Sequence, residues 1–114
     1  MHPDLERAIN DIKWSESEKK RARRVYEAAL QRELAEIMAE FKAKAERVTS
    51  PDDMWALQDY LRDKQRQIEA KYDYRYSQLI IVFGALLRQQ RIQEDDLLGL
   101  SEEKLASIRR VATL

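Results

Sequence analysis

Several residue types that carry chemistry are absent or rare in this chain of 114 residues. It has no cysteine, which excludes disulfides, thiol catalysis and zinc bound by thiolates. Its one histidine, His2, stands at a terminus, where disorder is more common than a role as base or metal ligand. Its two glycines lie far apart, so no glycine-rich loop offers backbone amides to a phosphate. These absences predict a protein that is not an enzyme and needs no cofactor.

Charge of one sign is not in excess either. The 21 basic residues balance 21 acidic residues, so no net field attracts the chain to nucleic acid or anionic lipid. The acidic residues show neither EF-hand spacing nor a Glu-x-x-His pair, which predicts no metal site. The longest apolar run, residues 79–87, is too short to cross a bilayer, and MHPDLERAIND lacks the apolar core of a signal peptide. We expect a cytoplasmic protein without membrane insertion.

What the chain does contain is helix-forming sequence. Its 44% hydrophobic and 37% charged residues, with few helix breakers, favour an all-α fold. Ser15 and Glu18 have the spacing of a capping box, and a long helical pattern follows them as far as Thr49. Apolar residues recur every three or four positions on one side of this pattern. They are Tyr26, Leu30, Leu34, Ile37, Phe41, Ala45 and Val48.

A second helix is predicted to begin directly after a tight turn. Ser50 can cap it, Pro51 suits its first position, and the carboxylates of Asp52 and Asp53 complement its dipole. It runs to about Tyr72. Residues 15–72 are therefore predicted to form a long antiparallel helical hairpin, the stalk, preceded by a polar N-terminal extension over residues 1–14.

The remaining residues, 73–114, are predicted to form a small helical head that completes a single helical domain with the stalk. The run LIIVFGALL is apolar on every side, so we expect a buried helix from about Ser77 to Gln90. One helical turn over Glu94 to Leu98 and a last helix capped by Ser101 follow it. Gly84 either permits close contact between helices or is simply tolerated. A short helix with Leu5, Ile9 and Ile12 is one option for the extension.

Association of two copies is predicted from the apolar surface of the stalk. Two helices side by side shield only one stripe of each from water, and long helices draw most of their stability from packing. Val25, Ala29 and Met38 lie off the main stripe of the first helix. A second copy would cover such residues, and two-fold dimers are the commonest assembly. We therefore predict a homodimer and leave a tetramer open.

Trp55 stands out in the second helix. The apolar stripe expected to face the first helix consists of Met54, Leu57, Leu61, Ile68 and Tyr72. Trp55 falls off that stripe, among Asp59, Arg62 and Arg66. Its ring either lies across a neighbouring helix of the same hairpin or serves as an anchor in a protein interface, where tryptophan and arginine are enriched. We favour the interface.

Two further groups have a structural and a functional interpretation. The basic run KKRARR, residues 19–24, can pair with Glu16 and Glu27 along the helix or bind a phosphate backbone. A solvated helix face is favoured, because charge runs are usually that. The tyrosines of KYDYRYS, at positions 72, 74 and 76, either form a binding surface or join stalk and head with their hydroxyls in water. The second interpretation is favoured.

A specific series of motifs runs through the chain. The central motif is Asp52-Asp53-Met54-Trp55, then Asp59, then Lys71-Tyr72-Asp73-x-Arg75-x-Ser77 before an apolar run. Upstream of it stand Trp14-Ser15-x-x-Glu18 and Arg32-Glu33-Leu34. In these motifs residues 14–114 resemble the cyanobacterial fluorescence recovery protein family, most specifically in residues 52–83.

The resemblance implies an all-helical homodimer that binds light-activated orange carotenoid protein and speeds its return to the resting orange form. It also implies a functional patch around Trp55 and Asp59. Three positions depart from the family: Gln58 replaces a histidine, Gln65 an arginine and Ile81 an aromatic residue. The alternative is a divergent dimeric scaffold with another protein partner. We predict that the partner or dimer contact comprises Met54, Trp55, Gln58, Asp59, Arg62, Gln65 and Arg66.

Overall fold

The structure, a computed structural model, describes residues 12–114, and over that range it confirms the all-α class. The described residues form four α-helices, one short 3-10 helix and no β-strand. These elements are α1 (Glu16–Glu46), α2 (Pro51–Lys71), α3 (Leu79–Arg88), the 3-10 helix (Glu94–Leu97) and α4 (Glu102–Ala112). Of the predicted extension, His2 and the segment with Leu5 and Ile9 lie outside the described residues, and Ile12 is not helical.

Contacts divide the chain into two compact units. The first unit comprises the described residues up to Ala29 together with Asp73–Leu114, and the second comprises Leu30–Tyr72. The helix α1 therefore contributes residues to both units. The predicted division into extension, stalk and head stays a prediction.

The first unit holds the apolar core. The predicted buried helix is confirmed as α3, in which Phe83 and Leu86 are fully buried. Other core side chains are Ala22, Val25, Tyr26, Ala29, Leu79, Ile80, Val82, Ile92, Leu97, Leu100, Leu105, Ile108 and Val111. The expectation that Val25 and Ala29 need a second copy to cover them is wrong, because both are buried within the single chain.

Gly84 marks a close approach of α3 to α4. A Cβ atom at this position would lie 2.4 Å from Val111 Cγ1 and 3.2 Å from the carbonyl oxygen of Ile108. Real Cβ atoms do not approach neighbours to 2.4 Å, so only glycine fits without a shift of the helices. Of the two interpretations of Gly84, close helix contact is therefore the correct one.

A capping box begins α1, as predicted. The backbone N–H of Glu18 donates to Ser15 Oγ at 3.2 Å, and the N–H of Ser15 donates to Glu18 Oε1 at 3.0 Å. The same carboxylate also accepts from the N–H of Ser101 at 2.9 Å and from Lys104 Nζ at 3.1 Å. Lys104 Nζ donates in addition to the carbonyl oxygen of Lys13 at 2.5 Å. The start of α1 and the start of α4 are thus tied to one carboxylate.

Burial alone would raise the pKa of Glu18, but its hydrogen bonds outweigh that effect. Donors from Ser15, Ser101 and Lys104 lower the pKa of Glu18 from 4.5 to about 2. Glu18 is 7% exposed and Lys104 is 5% exposed, so this is a buried ion pair. Such a pair is tolerated because every charged group in it has hydrogen-bond partners.

The second unit has little buried surface. Tyr72 is buried, whereas every other residue from 30 to 71 is at least partly exposed, and α2 contains no buried residue. As predicted, the Oγ of Ser50 caps α2 by accepting from the N–H of Asp53 at 3.2 Å. The carboxylate of Asp53 in turn accepts from the N–H of Thr49 at 3.1 Å.

Within this unit, the C-terminal part of α1 runs antiparallel to α2. The carboxylate of Glu33 accepts from Lys71 Nζ at 2.7 Å and from the hydroxyl of Tyr72 at 2.8 Å, at the end of α2. Lys44 Nζ lies 5.1 Å from the ring of Tyr60. The expectation that the Tyr72 hydroxyl reaches water is wrong, because the Glu33 carboxylate accepts its hydrogen bond.

Replacing Gly84 by alanine is expected to lower the free energy of unfolding by about 2 kcal/mol, as overpacking of a core does. The added methyl group meets Val111, so α3 and α4 must separate. Urea unfolding followed by circular dichroism measures the change. The control is the double variant Gly84→Ala/Val111→Ala. Its free energy of unfolding should fall by less than the sum of the decreases caused by the two single substitutions. A Gly84→Ala protein as stable as the parent would contradict close packing.

Glu18→Gln is expected to lower the free energy of unfolding by about 3 kcal/mol at neutral pH, because Lys104 is left buried without a charged partner. The pKa of Glu18 is depressed on folding, so its contribution is complete above pH 4.5 and is lost as the pH falls towards about 2. The difference from the parent should therefore shrink over that range in urea titrations. Glu16→Gln, at an exposed position 3.4 Å from Lys19, is the control. A pH-independent difference would contradict this role.

Candidate partner-binding site

The predicted site residues all lie on the exposed side of α2. We call this surface the Trp55 face. It comprises Met54, Trp55, Gln58, Asp59, Arg62, Gln65 and Arg66, each of which is exposed in the single chain. The helix begins with Ser50 as its cap and Pro51 at its first position, which favours helical geometry in the turns that carry Trp55.

Trp55 is the most exposed aromatic side chain of the described residues, at 59%. The interpretation in which its ring lies across a helix of its own chain is therefore wrong for a single copy. An exposed indole costs free energy in water, and the cost is removed when a partner covers the ring. The side chain is thus available as an anchor for another surface.

Met54 and Leu61 were expected to face α1, and this expectation is wrong. Met54 is 48% exposed and Leu61 is 39% exposed. The partly covered side of α2 is formed by Leu57, Tyr60 and Ile68 instead. A small rotation of the helix about its axis decides which edge of a broad apolar stripe is covered, and Met54 and Leu61 occupy the uncovered edge.

The charged groups of the Trp55 face do not pair with one another. No ion pair joins Asp59 to Arg62 or Arg66, although Arg62 follows Asp59 by three residues on the same helix. Gln65 Nε2 donates to Glu69 Oε1 at 3.2 Å. The carboxylate of Asp59 and the two guanidinium groups therefore face water, and they can form charge-assisted hydrogen bonds with a partner without first breaking an internal one.

Tyr60 was not singled out in the sequence, yet it borders a shallow cleft of about 250 Å³ in the second unit. Lys44 Nζ and Lys64 Nζ lie 5.1 and 5.8 Å from the centre of its ring. Burial and the nearby carboxylate of Glu40 raise the pKa of Tyr60. The cleft is lined by Lys44, Arg47, Val48, Asp53, Ala56, Leu57 and Tyr60. The spacing of Tyr60 from Leu57 could have placed it on the covered side of α2.

A fourth exposed apolar residue of the second unit lies on α1. Met38 is 56% exposed in the single chain, in agreement with its predicted position off the main stripe of the helix. Together with Met54, Trp55 and Leu61, it brings the exposed large apolar side chains of this unit to four. Methionine and tryptophan are typical of surfaces that contact other proteins.

Other kinds of site find no support in the described residues. No group of three or more histidine, cysteine, aspartate or glutamate side chains in residues 12–114 could hold a metal ion. No helix in the same range has the length and apolarity needed to span a membrane. The best-formed candidate surface is the one around Trp55.

Comparisons with known proteins agree with one another. Residues 14–112 match the family described as photoprotection regulator fluorescence recovery protein. The chain is 38% identical over 101 residues to the fluorescence recovery protein of Synechocystis sp.. The matched region covers 89% of this chain and 93% of that protein. The solved structures of the proteins from Fremyella diplosiphon and Synechocystis sp. are 31% and 37% identical, each with a TM-score of 0.85, and cover 90% of this chain and 100% of theirs.

Fold and similarity together define an all-helical regulator of photoprotection. The chain belongs to the fluorescence recovery protein family. The resemblance found in the sequence is thereby confirmed.

Proposed function

We propose that this chain is a homodimeric, non-enzymatic, cytoplasmic regulator. It binds photoactivated orange carotenoid protein and accelerates the return of that partner to its resting orange state. Membership of the family supports the partner. The observation that carries the proposal is the 59% exposure of Trp55 among unpaired charged groups of α2.

Such a regulator acts through differences in affinity and forms no covalent bond. A bound protein accelerates a conformational change when it holds the transitional state of its partner more tightly than the active state, and it shifts the equilibrium when it holds the compact state more tightly. The exposed side chains of the Trp55 face supply the contacts that such a difference in affinity requires.

Within the Trp55 face, the residues have complementary roles in this proposal. The indole of Trp55 buries apolar area against the partner, as tryptophan hot spots do. Asp59, Arg62 and Arg66 fix orientation through charge-assisted hydrogen bonds.

Homodimerisation is supported by the scarcity of buried residues in the second unit. From residue 30 to residue 71 no side chain is buried, and Met38, Met54, Trp55 and Leu61 are exposed. Helices in proteins draw most of their stability from the tertiary packing of an apolar face. A second copy laid against Met38, Met54 and Leu61 supplies that packing with two-fold symmetry and leaves Trp55 for the partner.

A second candidate is a dimeric scaffold with a different protein partner. Two side chains of the Trp55 face favour it: Gln58 and Gln65 are neutral where the family resemblance implies a histidine and an arginine. The amide of Gln65 is also engaged by Glu69. A partner that requires positive charge at those positions would bind this chain less tightly.

The dimer is tested by Met54→Glu, which places a charge on the apolar surface proposed to be covered. Sedimentation at micromolar concentrations should show a two-fold smaller mass for the variant than for the parent, because an unpaired buried charge is costly. Leu98→Glu is the matched control, since Leu98 is 58% exposed and belongs to the first unit. A parent protein that sediments as a single copy, or an unaltered Met54→Glu dimer, would refute this interface.

The activity is tested by following red-to-orange recovery of the purified carotenoid protein in darkness. The parent chain should accelerate recovery at substoichiometric concentrations. Trp55→Ala should need about thirty-fold more protein for the same rate, since loss of a hot-spot tryptophan costs about 2 kcal/mol. Leu98→Ala, which also truncates an exposed apolar residue, should behave as the parent does. If excess parent protein does not accelerate recovery, the carotenoid protein is rejected as the partner. The dimeric scaffold with a different partner then remains.

A further inference from the structure

A basic face lies on the first part of α1, within the first unit. We define it by Lys19, Lys20, Arg23 and Arg24, of which all but the half-buried Lys19 are exposed. The proposed function makes no use of these residues. Their run in the sequence was expected to be a solvated surface, neutralised by neighbouring carboxylates.

The actual ion pairs leave two of these cations without a carboxylate. Glu16 lies 3.4 Å from Lys19, and Glu27 lies 3.4 Å from Arg23. Among the described residues, Lys20 and Arg24 form no ion pair. They are four residues apart on one helix, so the two positive charges project from the same side about 6 Å apart along the axis.

Aromatic rings support the cations that flank this pair. The guanidinium carbon of Arg23 lies 4.0 Å from the centre of the Tyr74 ring, and Lys19 Nζ lies 5.2 Å from that of Tyr76. The ring of Tyr74 packs edge-on against the buried Tyr26, with centroids 4.7 Å apart. Cations held in this way lose less conformational entropy when they bind an anion.

The geometry points to an acidic protein segment as the ligand of this basic face. We propose that carboxylates about one helical turn apart on a protein partner pair with Lys20 and Arg24, while Arg23 and Lys19 border the contact. The spacing matches, because acidic side chains four residues apart on a helix also lie about 6 Å apart along its axis. The proposal concerns a surface outside the Trp55 face, and it does not depend on the identity of the partner proposed above.

Nucleic acid fits this face less well than protein does. Glu16 and Glu27 interrupt the positive surface, and the chain as a whole has a net charge of zero. A duplex presents a phosphate charge about every 1.7 Å along its axis, so it would bring phosphates against both carboxylates. A protein segment can avoid them, since its own charges are spaced apart.

The test measures binding of a fluorescein-labelled helical peptide with glutamates at every fourth position. Fluorescence anisotropy at low salt should show binding by the full chain, weakened about ten-fold by Lys20→Glu/Arg24→Glu, as reversal of two charges at a contact does. The matched control is Arg88→Glu/Arg110→Glu, which changes the net charge equally at two exposed arginines of the same unit. This control should bind as the parent does.

Three results would overturn the proposal. The first is no peptide binding by the parent chain. The second is an equal loss of peptide affinity in both double variants, which would mean that net charge alone attracts the peptide. The third is tighter binding to single-stranded DNA of equal charge, or to vesicles containing phosphatidylserine, than to the peptide. Circular dichroism of the variants, expected to equal that of the parent, verifies that these exposed substitutions leave the helices intact.

Discussion

A pair of helices can bury only one stripe of each, and this geometric constraint governs the second unit. Its residues 30–71 include leucines, isoleucine, phenylalanine and methionines, yet none of them is buried in the single chain. The polar contacts of Glu33 with Lys71 and Tyr72 hold the end of α2. They do not remove apolar surface from water. The exposure of Met38, Met54, Trp55 and Leu61 follows from this limit and is the basis of the proposed dimer and partner contacts.

The first unit buries its apolar side chains with a larger number of helices. The helix α3 is apolar on all sides and is buried because α4 packs closely against it at Gly84. The buried carboxylate of Glu18 accepts from the backbone N–H groups of Ser15 and Ser101 as well as from Lys104 Nζ. A dense core and a fully bonded internal charge pair are expected of a unit that is stable by its own packing.

The two candidate surfaces belong to different units and use different chemistry. The Trp55 face combines an exposed indole with unpaired charges of both signs, which suits a contact that buries apolar area and fixes orientation. The basic face offers Lys20 and Arg24 beside cations that rest on Tyr74 and Tyr76. Electrostatic surfaces of that kind contribute to association rate and specificity more than to affinity. A regulator that engages a partner protein can use both.

Local interactions explain what could be predicted from the sequence. The helix starts at Ser15, Ser50 and Ser101 depend on side chains that bond to backbone within three residues, so their spacing reveals them. The burial of α3 follows from its composition, because a helix that is apolar on every side has no side that is favourably exposed to water. The proposed partner rests on the family resemblance, because composition and periodicity alone do not indicate one.

Only the tertiary structure decided which of several available contacts each side chain makes. Glu18 could be identified as a capping residue, but its bonds to Ser101 and Lys104 join residues 83 and 86 positions apart. Met54 and Leu61 share a stripe with Ile68, and the rotation of α2 against its neighbour leaves them exposed. Periodicity gives the direction of a side chain around its own helix axis. It does not give the position of the other helix, and burial and charge pairing depend on that position.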